Sequence, residues 1–160
     1  MPPIMPPISP RRYSGDLVNL SQGLISRDIF TQADIYDDEL ERVFARSWLF
    51  VGHESQVPEP QDYILSRTGE ESVIFNRDRN GKLHVFLNNC RHRGMRVCRY
   101  DKGNSRKFMC PFHAWTYSDQ GELIAVPKLE TGYHNELNRA EWGPVTAPAG
   151  GFPPAAFQQG

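Results

Sequence analysis

The stretch CRHRGMRVCRYDKGNSRKFMCPFHAW, residues 90–115, holds all three cysteines of the 160-residue chain and two of its five histidines. Within it, Cys90 and His92 form a C-x-H half, and Cys110 and His113 form a C-x2-H half. Because each half is short enough to lie on one turn, two neighbouring loops can present all four side chains toward one point. The stretch therefore predicts a metal centre with two sulfur and two nitrogen ligands.

Two occupants suit such a ligand set, a structural zinc ion and a [2Fe-2S] cluster of the Rieske kind, in which two histidines replace two cysteines on one iron. In common zinc fingers the cysteines lie together on one element and the histidines on another. Here each half carries one of each, which a cluster spanning two irons requires. The spacing favours the iron–sulfur cluster and leaves zinc as the alternative.

Composition predicts a globular domain with one core and with tails. The formal net charge is -1, with 39% hydrophobic and 23% charged residues, so nothing global points to nucleic acid or an anionic membrane as a partner. No apolar run approaches the roughly 18 residues of a membrane span, and the N-terminal MPPIMPPISPRR has prolines where a signal peptide would be continuously apolar. Three cysteines, an odd number, argue against a disulfide framework. We expect a reducing, cytoplasmic location.

The segment before the β-rich region is predicted to be helical. In residues 31–47, four apolar side chains share a helical spacing, namely Tyr36, Leu40, Val43 and Phe44. Asp37 is a plausible N-cap, and Asp38 and Arg42 are four residues apart, as in a helical ion pair. The pattern predicts one amphipathic helix.

The middle of the chain has the texture of antiparallel strands. Short runs rich in β-formers occupy residues 62–67, 72–77 and 82–88, and Asn80-Gly81 between the last two suits a tight hairpin turn. A second hairpin is predicted within residues 114–127, where Asp119-Gln120-Gly121 supplies the turn and Pro127 ends the strand. The predicted fold is mostly β, preceded by an N-terminal α-helix.

Four regions are predicted along the chain. Residues 1–15 are a Pro-rich disordered tail, and residues 16–47 form the N-terminal helical segment. Residues 48–142 form the metal-binding domain. Residues 143–160 are rich in Gly, Ala and Pro and are predicted to be an unstructured tail.

Two segments, CRHRGMRVCRYDKGN and MCPFHAWTYSDQGELIAVP, resemble the N-terminal Rieske domain of the large (α) subunit of bacterial aromatic-ring-hydroxylating dioxygenases. The resemblance includes ELERVFARSWLFVGHESQVPEPQDYI, which a stand-alone Rieske ferredoxin lacks, so it extends from about residue 16 to 142. It implies a Rieske-type antiparallel β sandwich with two cluster-binding loops. One departure is Ala114, where the family more often has Gly after the second histidine.

The resemblance also implies a function. Cys90, His92, Cys110 and His113 would hold the [2Fe-2S] cluster, which receives electrons from NAD(P)H through a reductase, often via a ferredoxin. In the family the electrons reach a mononuclear Fe(II) site, built from two histidines and a carboxylate in a separate downstream domain, which carries out the O2-dependent dihydroxylation of an aromatic compound. The α subunits commonly form trimers, often with β subunits.

This chain lacks that catalytic domain, so we expect it not to hydroxylate a substrate by itself, and the aromatic substrate stays unidentified. The change of texture after Trp142 indicates a truncated or frame-shifted gene product or a fragment of a longer subunit. The remaining alternative from another class is a free, ferredoxin-like electron carrier.

Residues around the motif also predict the reduction potential of the cluster and the exposure of its histidines. The loops have Met95, Phe112 and Trp115 where the respiratory version of the domain has extra cysteines and a serine. Fewer hydrogen bonds to sulfur predict a reduction potential in the lower part of the Rieske range, roughly -150 mV. His92 and His113 are expected near solvent.

The motif region has seven basic residues against Asp101, a surplus of six positive charges: Arg91, Arg93, Arg96, Arg99, Lys102, Arg106 and Lys107. These residues either form a solvated rim or dock an acidic redox partner. Cys98, Trp115 and Tyr117 are expected to be packing residues. His53, His84 and His134 are expected to be surface or hydrogen-bonded strand histidines.

Overall fold

The computed structural model describes residues 17–147, which divide into two compact units at the Ser47–Trp48 junction. The first unit contains β1 Val18–Asn19, β2 Leu24–Ile25 and α1 Ala33–Arg42. The second contains β3 Asp62–Thr68, β4 Glu71–Arg77, β5 Leu83–Leu87, β6 Lys102–Asn104, β7 Lys107–Met109, β8 Thr116–Ser118, β9 Leu123–Ala125, α2 Leu129–Tyr133 and β10 Thr146–Ala147. Across the described residues, none of the helices has the length and hydropathy that crossing a membrane requires.

The first unit contains the predicted helix, with different ends. α1 begins at Ala33 after an extended Gln32, so the prediction of Asp37 as N-cap is wrong. Asp34 lies in the first turn, where a carboxylate is favourable because of the helix dipole. The helix ends at Arg42 because the chain tightens at Val43 into a 3-10 turn, Phe44–Arg46, so it is shorter than residues 31–47.

The buried face of α1 also differs from the predicted one. Ile35 and Asp38 are buried, whereas Tyr36 and Val43 are exposed. The predicted pair of Asp38 and Arg42 is confirmed, with Arg42 Nε 3.8 Å from Asp38 Oδ1. The first unit thus presents much of its apolar surface outward.

The second unit contains two antiparallel sheets, which confirms the predicted β sandwich. One has five strands in the order β10-β5-β4-β3-β6, and the other has three in the order β7-β8-β9. Alternation along β4 and β5 sends Ile74 and Phe86 into the larger apolar cluster, together with residues of the three-stranded sheet and the motif. Val73, Phe75 and Val85 point the other way and pack with Val51 and Val57. The motif therefore lies over a sheet that is covered on both faces.

Both predicted hairpins are confirmed. β4 and β5 are joined by a turn in which Gly81 adopts a φ of 85°, a conformation that glycine tolerates without strain. β8 and β9 are joined through Asp119-Gln120-Gly121, and β9 ends before Pro127. The second hairpin starts directly after the second half of the motif.

The prediction that residues 143–160 are unstructured is wrong for two of them. Thr146 pairs with Phe86 and Ala147 with Val85, because the edge of β5 offers backbone groups that need partners. Residues 148–160 of that tail, and the predicted N-terminal tail, residues 1–15, lie outside the described residues.

Candidate metal centre

Two loops of closely similar backbone design carry the motif. In the first, the Cys90 carbonyl accepts the Gly94 N–H at 2.8 Å and the Cys90 N–H donates to the Met95 carbonyl at 2.9 Å. In the second, the Cys110 carbonyl accepts the Ala114 N–H at 3.0 Å and the Cys110 N–H donates to the Trp115 carbonyl at 2.8 Å. In each loop the fourth residue after the cysteine has a positive φ, 71° at Gly94 and 56° at Ala114. The chain therefore builds the same cysteine-centred turn twice.

The two cysteines are the buried half of the centre. Cys90 and Cys110 are each 2% exposed, and they are close enough for Cys110 to affect the titration of Cys90. Burial, together with the nearby Cys110 thiol, raises the pKa of Cys90, although hydrogen bonds from Tyr117 and the His92 backbone act in the opposite direction. The raised pKa keeps Cys90 a protonated thiol at neutral pH, so binding a metal there requires the loss of that proton.

The two histidines are the half nearer to solvent. Both are half-buried, and their ring centroids lie 4.7 Å apart with the planes at 73°. Burial, the neighbouring His113 and Arg93 lower the pKa of His92, which keeps the imidazole neutral and able to bind a metal at neutral pH. The expectation of solvent-near histidines agrees with this arrangement.

These side chains fit a two-iron cluster better than a single metal ion. Within residues 17–147, no three potential His, Cys, Asp or Glu ligands converge on one point, as a mononuclear zinc site would require. They form instead a thiol pair and an imidazole pair. His113 Nδ1 is buried without a hydrogen-bond partner, an orphaned lone pair that a bound iron would satisfy.

The surface of the motif region, called the basic rim below, is positively charged and partly apolar. The seven basic residues of the motif region are all exposed, and none of them forms an ion pair with another residue in the 17–147 range. Beside them Phe112 is 54% exposed and Met95 is 40% exposed. Unpaired cations together with exposed apolar side chains are typical of a surface that binds an anionic protein.

Two side chains that support the cysteine loops were not recognised from the sequence in this role. Tyr117 is buried as expected, but its hydroxyl also lies 3.2 Å from Cys90 Sγ and accepts the Arg91 N–H at 3.1 Å. Asn88 closes the first loop, because its side chain accepts the Cys98 N–H at 2.7 Å and donates to the Cys98 carbonyl at 2.8 Å. Asn88 ends the apolar run 85–87 two positions before Cys90, and this position was the available signal.

The remaining cysteine and histidines behave as expected. Cys98 is buried in the larger apolar cluster, with its thiol 3.6 Å from the Tyr100 carbonyl. His53 caps a 3-10 turn, and His84 Nε2 lies 3.0 Å from Asp78 Oδ2 in β5. His134 is exposed at the end of α2.

Comparison with known proteins agrees with this geometry. The family model of the Rieske [2Fe-2S] domain matches residues 47–141. Biphenyl 2,3-dioxygenase subunit alpha from Rhodococcus jostii is 44% identical over 132 residues, covering 82% of this chain and 28% of that subunit. Benzene 1,2-dioxygenase subunit alpha from Pseudomonas putida is 49% identical over 125 residues, covering 78% of this chain and 28% of that subunit.

The fold is shared with solved structures as well. The crystal structure of naphthalene 1,2-dioxygenase from Rhodococcus sp. bound to indole superposes with a TM-score of 0.72 at 41% identity, covering 76% of this chain and 28% of that one. The chain thus spans about 28% of the length of these relatives. From the matching family model and the shared fold it follows that this chain belongs to the Rieske [2Fe-2S] domain family, is homologous to the α subunits of aromatic dioxygenases, and has a Rieske-type [2Fe-2S] cluster as its cofactor.

Proposed function

We propose that Cys90, His92, Cys110 and His113 hold the [2Fe-2S] cluster and that the chain is an electron-transfer domain. The observation that carries this proposal is the pairing of two buried thiols with two half-buried imidazoles on twin loops. When bound, the cluster takes up one electron at a time, at a potential raised by imidazole ligation above that of an all-cysteine cluster.

The protein's own residues determine where electrons enter and leave. Burial of Cys90 and Cys110 shields the sulfur side from water, whereas His92 and His113 lie at the accessible edge. The basic rim at that edge attracts an acidic protein, so a ferredoxin or an NAD(P)H-dependent reductase docks there and delivers electrons. Exposed Phe112 supplies an apolar contact at the centre of this docking surface.

The names of the relatives indicate the reaction that the electrons serve. Since those proteins are α subunits of dioxygenases for biphenyl and benzene, we assign this domain to an oxygenase that dihydroxylates an aromatic compound with O2. The mononuclear iron of that reaction would be held outside the Rieske domain, and further α and β subunits would complete the assembly. All three cysteines are free thiols, as a reducing cytoplasmic compartment would keep them.

Stopped-flow reduction of the cluster-loaded protein by a reduced acidic ferredoxin tests the docking step. The bimolecular rate should fall with increasing salt, and the double variant Arg93→Glu and Arg96→Glu should slow it by roughly tenfold or more, because attraction becomes repulsion. The matched control is Lys82→Glu, an exposed lysine in the β4–β5 turn, outside the motif. Equal rates for the rim variant and the wild type at low salt would contradict docking at this edge.

A further inference from the structure

Trp115 lies between the candidate ligand His92 and two aromatic side chains that follow the second hairpin. Its ring is stacked on the His92 imidazole, with centroids 4.9 Å apart and planes 8° from parallel. The Trp115 ring also contacts Trp142 and Tyr133 edge to face, with ring centroids 5.7 Å and 6.1 Å away. Since Trp115 is only 2% exposed, this position is fixed by packing on every side.

The same residue joins the two cluster loops. Its backbone carbonyl accepts the Cys110 N–H within the second loop, while its ring lies on the histidine of the first loop. A movement of Trp115 would therefore alter the orientation of His92 relative to Cys110. No other aromatic ring among the described residues is parallel to an imidazole of the pair, since Phe112 is tilted by 33° against His113.

Histidines that bind metals are usually oriented by a hydrogen bond from the ring nitrogen that does not bind the metal. Within residues 17–147, neither nitrogen of His92 makes such a bond, so ring contacts are what orient this imidazole. Of those contacts, the one with His113 is edge to face, at 73°. The parallel face of Trp115 is the contact that defines the plane of the ring.

We propose that Trp115 is a positioning residue that sets the plane of the His92 imidazole at the cluster, with Trp142 and Tyr133 as its support. The inference rests on the proposed function, because it takes His92 as a ligand. It assigns a task to the segment from α2 to Trp142, which lies beyond both hairpins and holds Trp115 in place.

The test compares cluster-loaded wild type with Trp115→Leu, using Trp48→Leu, at a half-buried tryptophan outside the motif, as the control. The readouts are the g values of the dithionite-reduced protein in electron paramagnetic resonance, the reduction potential, and the rate of cluster loss at neutral pH. We expect Trp115→Leu to shift the g values and the potential and to lose its cluster several-fold faster, whereas Trp48→Leu keeps the wild-type signal. Unchanged g values and potential in Trp115→Leu would overturn the proposal.

Trp115→Phe keeps a flat ring with less overlap and should give a smaller change in the same direction. If Trp115→Leu does not fold, Trp115→Phe is the test variant. A spectrum and a potential of Trp115→Phe equal to those of the wild type would then overturn the proposal. A wild-type protein without iron and sulfide would instead refute the ligand assignment, and the inference with it. A wild-type protein with a normal cluster and insensitive Trp115 variants would refute the inference alone.

Discussion

Tyr117 shows how one buried hydroxyl can adjust the chemistry of the cluster. Its oxygen already accepts the Arg91 N–H, so its own proton can point to Cys90 Sγ at 3.2 Å. Burial, reinforced by Cys90, raises the pKa of Tyr117 above its ordinary value, which keeps the phenol protonated and able to donate. A donor to a ligand sulfur stabilises the reduced, more negative cluster.

Replacing this donor should therefore lower the reduction potential. A net hydrogen bond of about 0.5–1.5 kcal/mol corresponds to roughly 20–65 mV for a one-electron couple, so Tyr117→Phe should lower the potential by about that amount. Redox titration followed by visible absorption measures the change. Tyr63→Phe is the control, because Tyr63 is buried in the same apolar core as Tyr117 but interacts with Cys98, which is not a proposed ligand. A potential for Tyr117→Phe at or above that of Tyr63→Phe would contradict the assignment.

Ala114 carries backbone strain in the second loop. Its φ of 56° is in the left-handed region, which costs an L-residue about 1–2 kcal/mol, and the equivalent residue of the first loop is Gly94. Glycine relieves that strain but gains entropy in the unfolded chain, so Ala114→Gly should stabilise the fold by about 0.5–1 kcal/mol. Urea unfolding of the protein measures it. The same substitution at Ala125 in strand β9 should destabilise, and equal signs for the two variants would disprove the strain.

At the scale of elements, the buried carboxylates of Asp78 and Asp119 link the two hairpin turns through hydrogen bonds. Asp119 accepts from Arg79 through its backbone N–H and its guanidinium, and Asp78 Oδ2 accepts from Gln120 Nε2 at 3.0 Å. Asp78 also accepts two N–H groups of its own turn and is bonded to His84. Strand β8 follows the second cluster loop directly. These hydrogen bonds therefore hold that loop over the five-stranded sheet.

The hydrogen bonds to Asp78 predict that the free energy of unfolding depends on pH. Burial opposes the ionisation of Asp78, but the hydrogen bonds from His84, Lys82, Asn80 and Gln120 outweigh it and lower the pKa of this carboxyl. A lowered pKa in the folded state gives stability that is present above the unfolded value of about 4 and is lost as the pH falls below it toward the folded value.

Asp78→Asn should therefore cost about 1–3 kcal/mol at pH 7, and its deficit relative to wild type should shrink below pH 4. Urea unfolding at several pH values measures both quantities. Asp101→Asn, at an exposed position, serves as the control and should change little. A deficit for Asp78→Asn that is the same at pH 7 and pH 3 would show that ionisation of Asp78 does not stabilise the fold.

For the whole molecule, local chemistry was predictable and distant contacts were not. The Cys and His spacing and the Asn80-Gly81 turn are short-range signals, so the sequence indicated the metal centre and both hairpins. Strand β6 has the sequence KGN, and β10 is two residues long, so neither has an alternation that could be recognised; their pairing partners create them. The partners of Tyr117 and Asn88 likewise depend on which chain segments the fold brings together.

The central claim is that four residues, Cys90, His92, Cys110 and His113, hold a Rieske-type [2Fe-2S] cluster. The most direct measurement is iron and acid-labile sulfide content together with the low-temperature electron paramagnetic resonance spectrum of the dithionite-reduced protein, for wild type and for Cys110→Ser, His92→Cys and the control Cys98→Ser. We predict about two irons and two sulfides per chain and a Rieske-type signal in wild type and Cys98→Ser, with that signal abolished in the other two. Zinc without labile sulfide in wild type, or an unchanged signal in Cys110→Ser or His92→Cys, would contradict the claim.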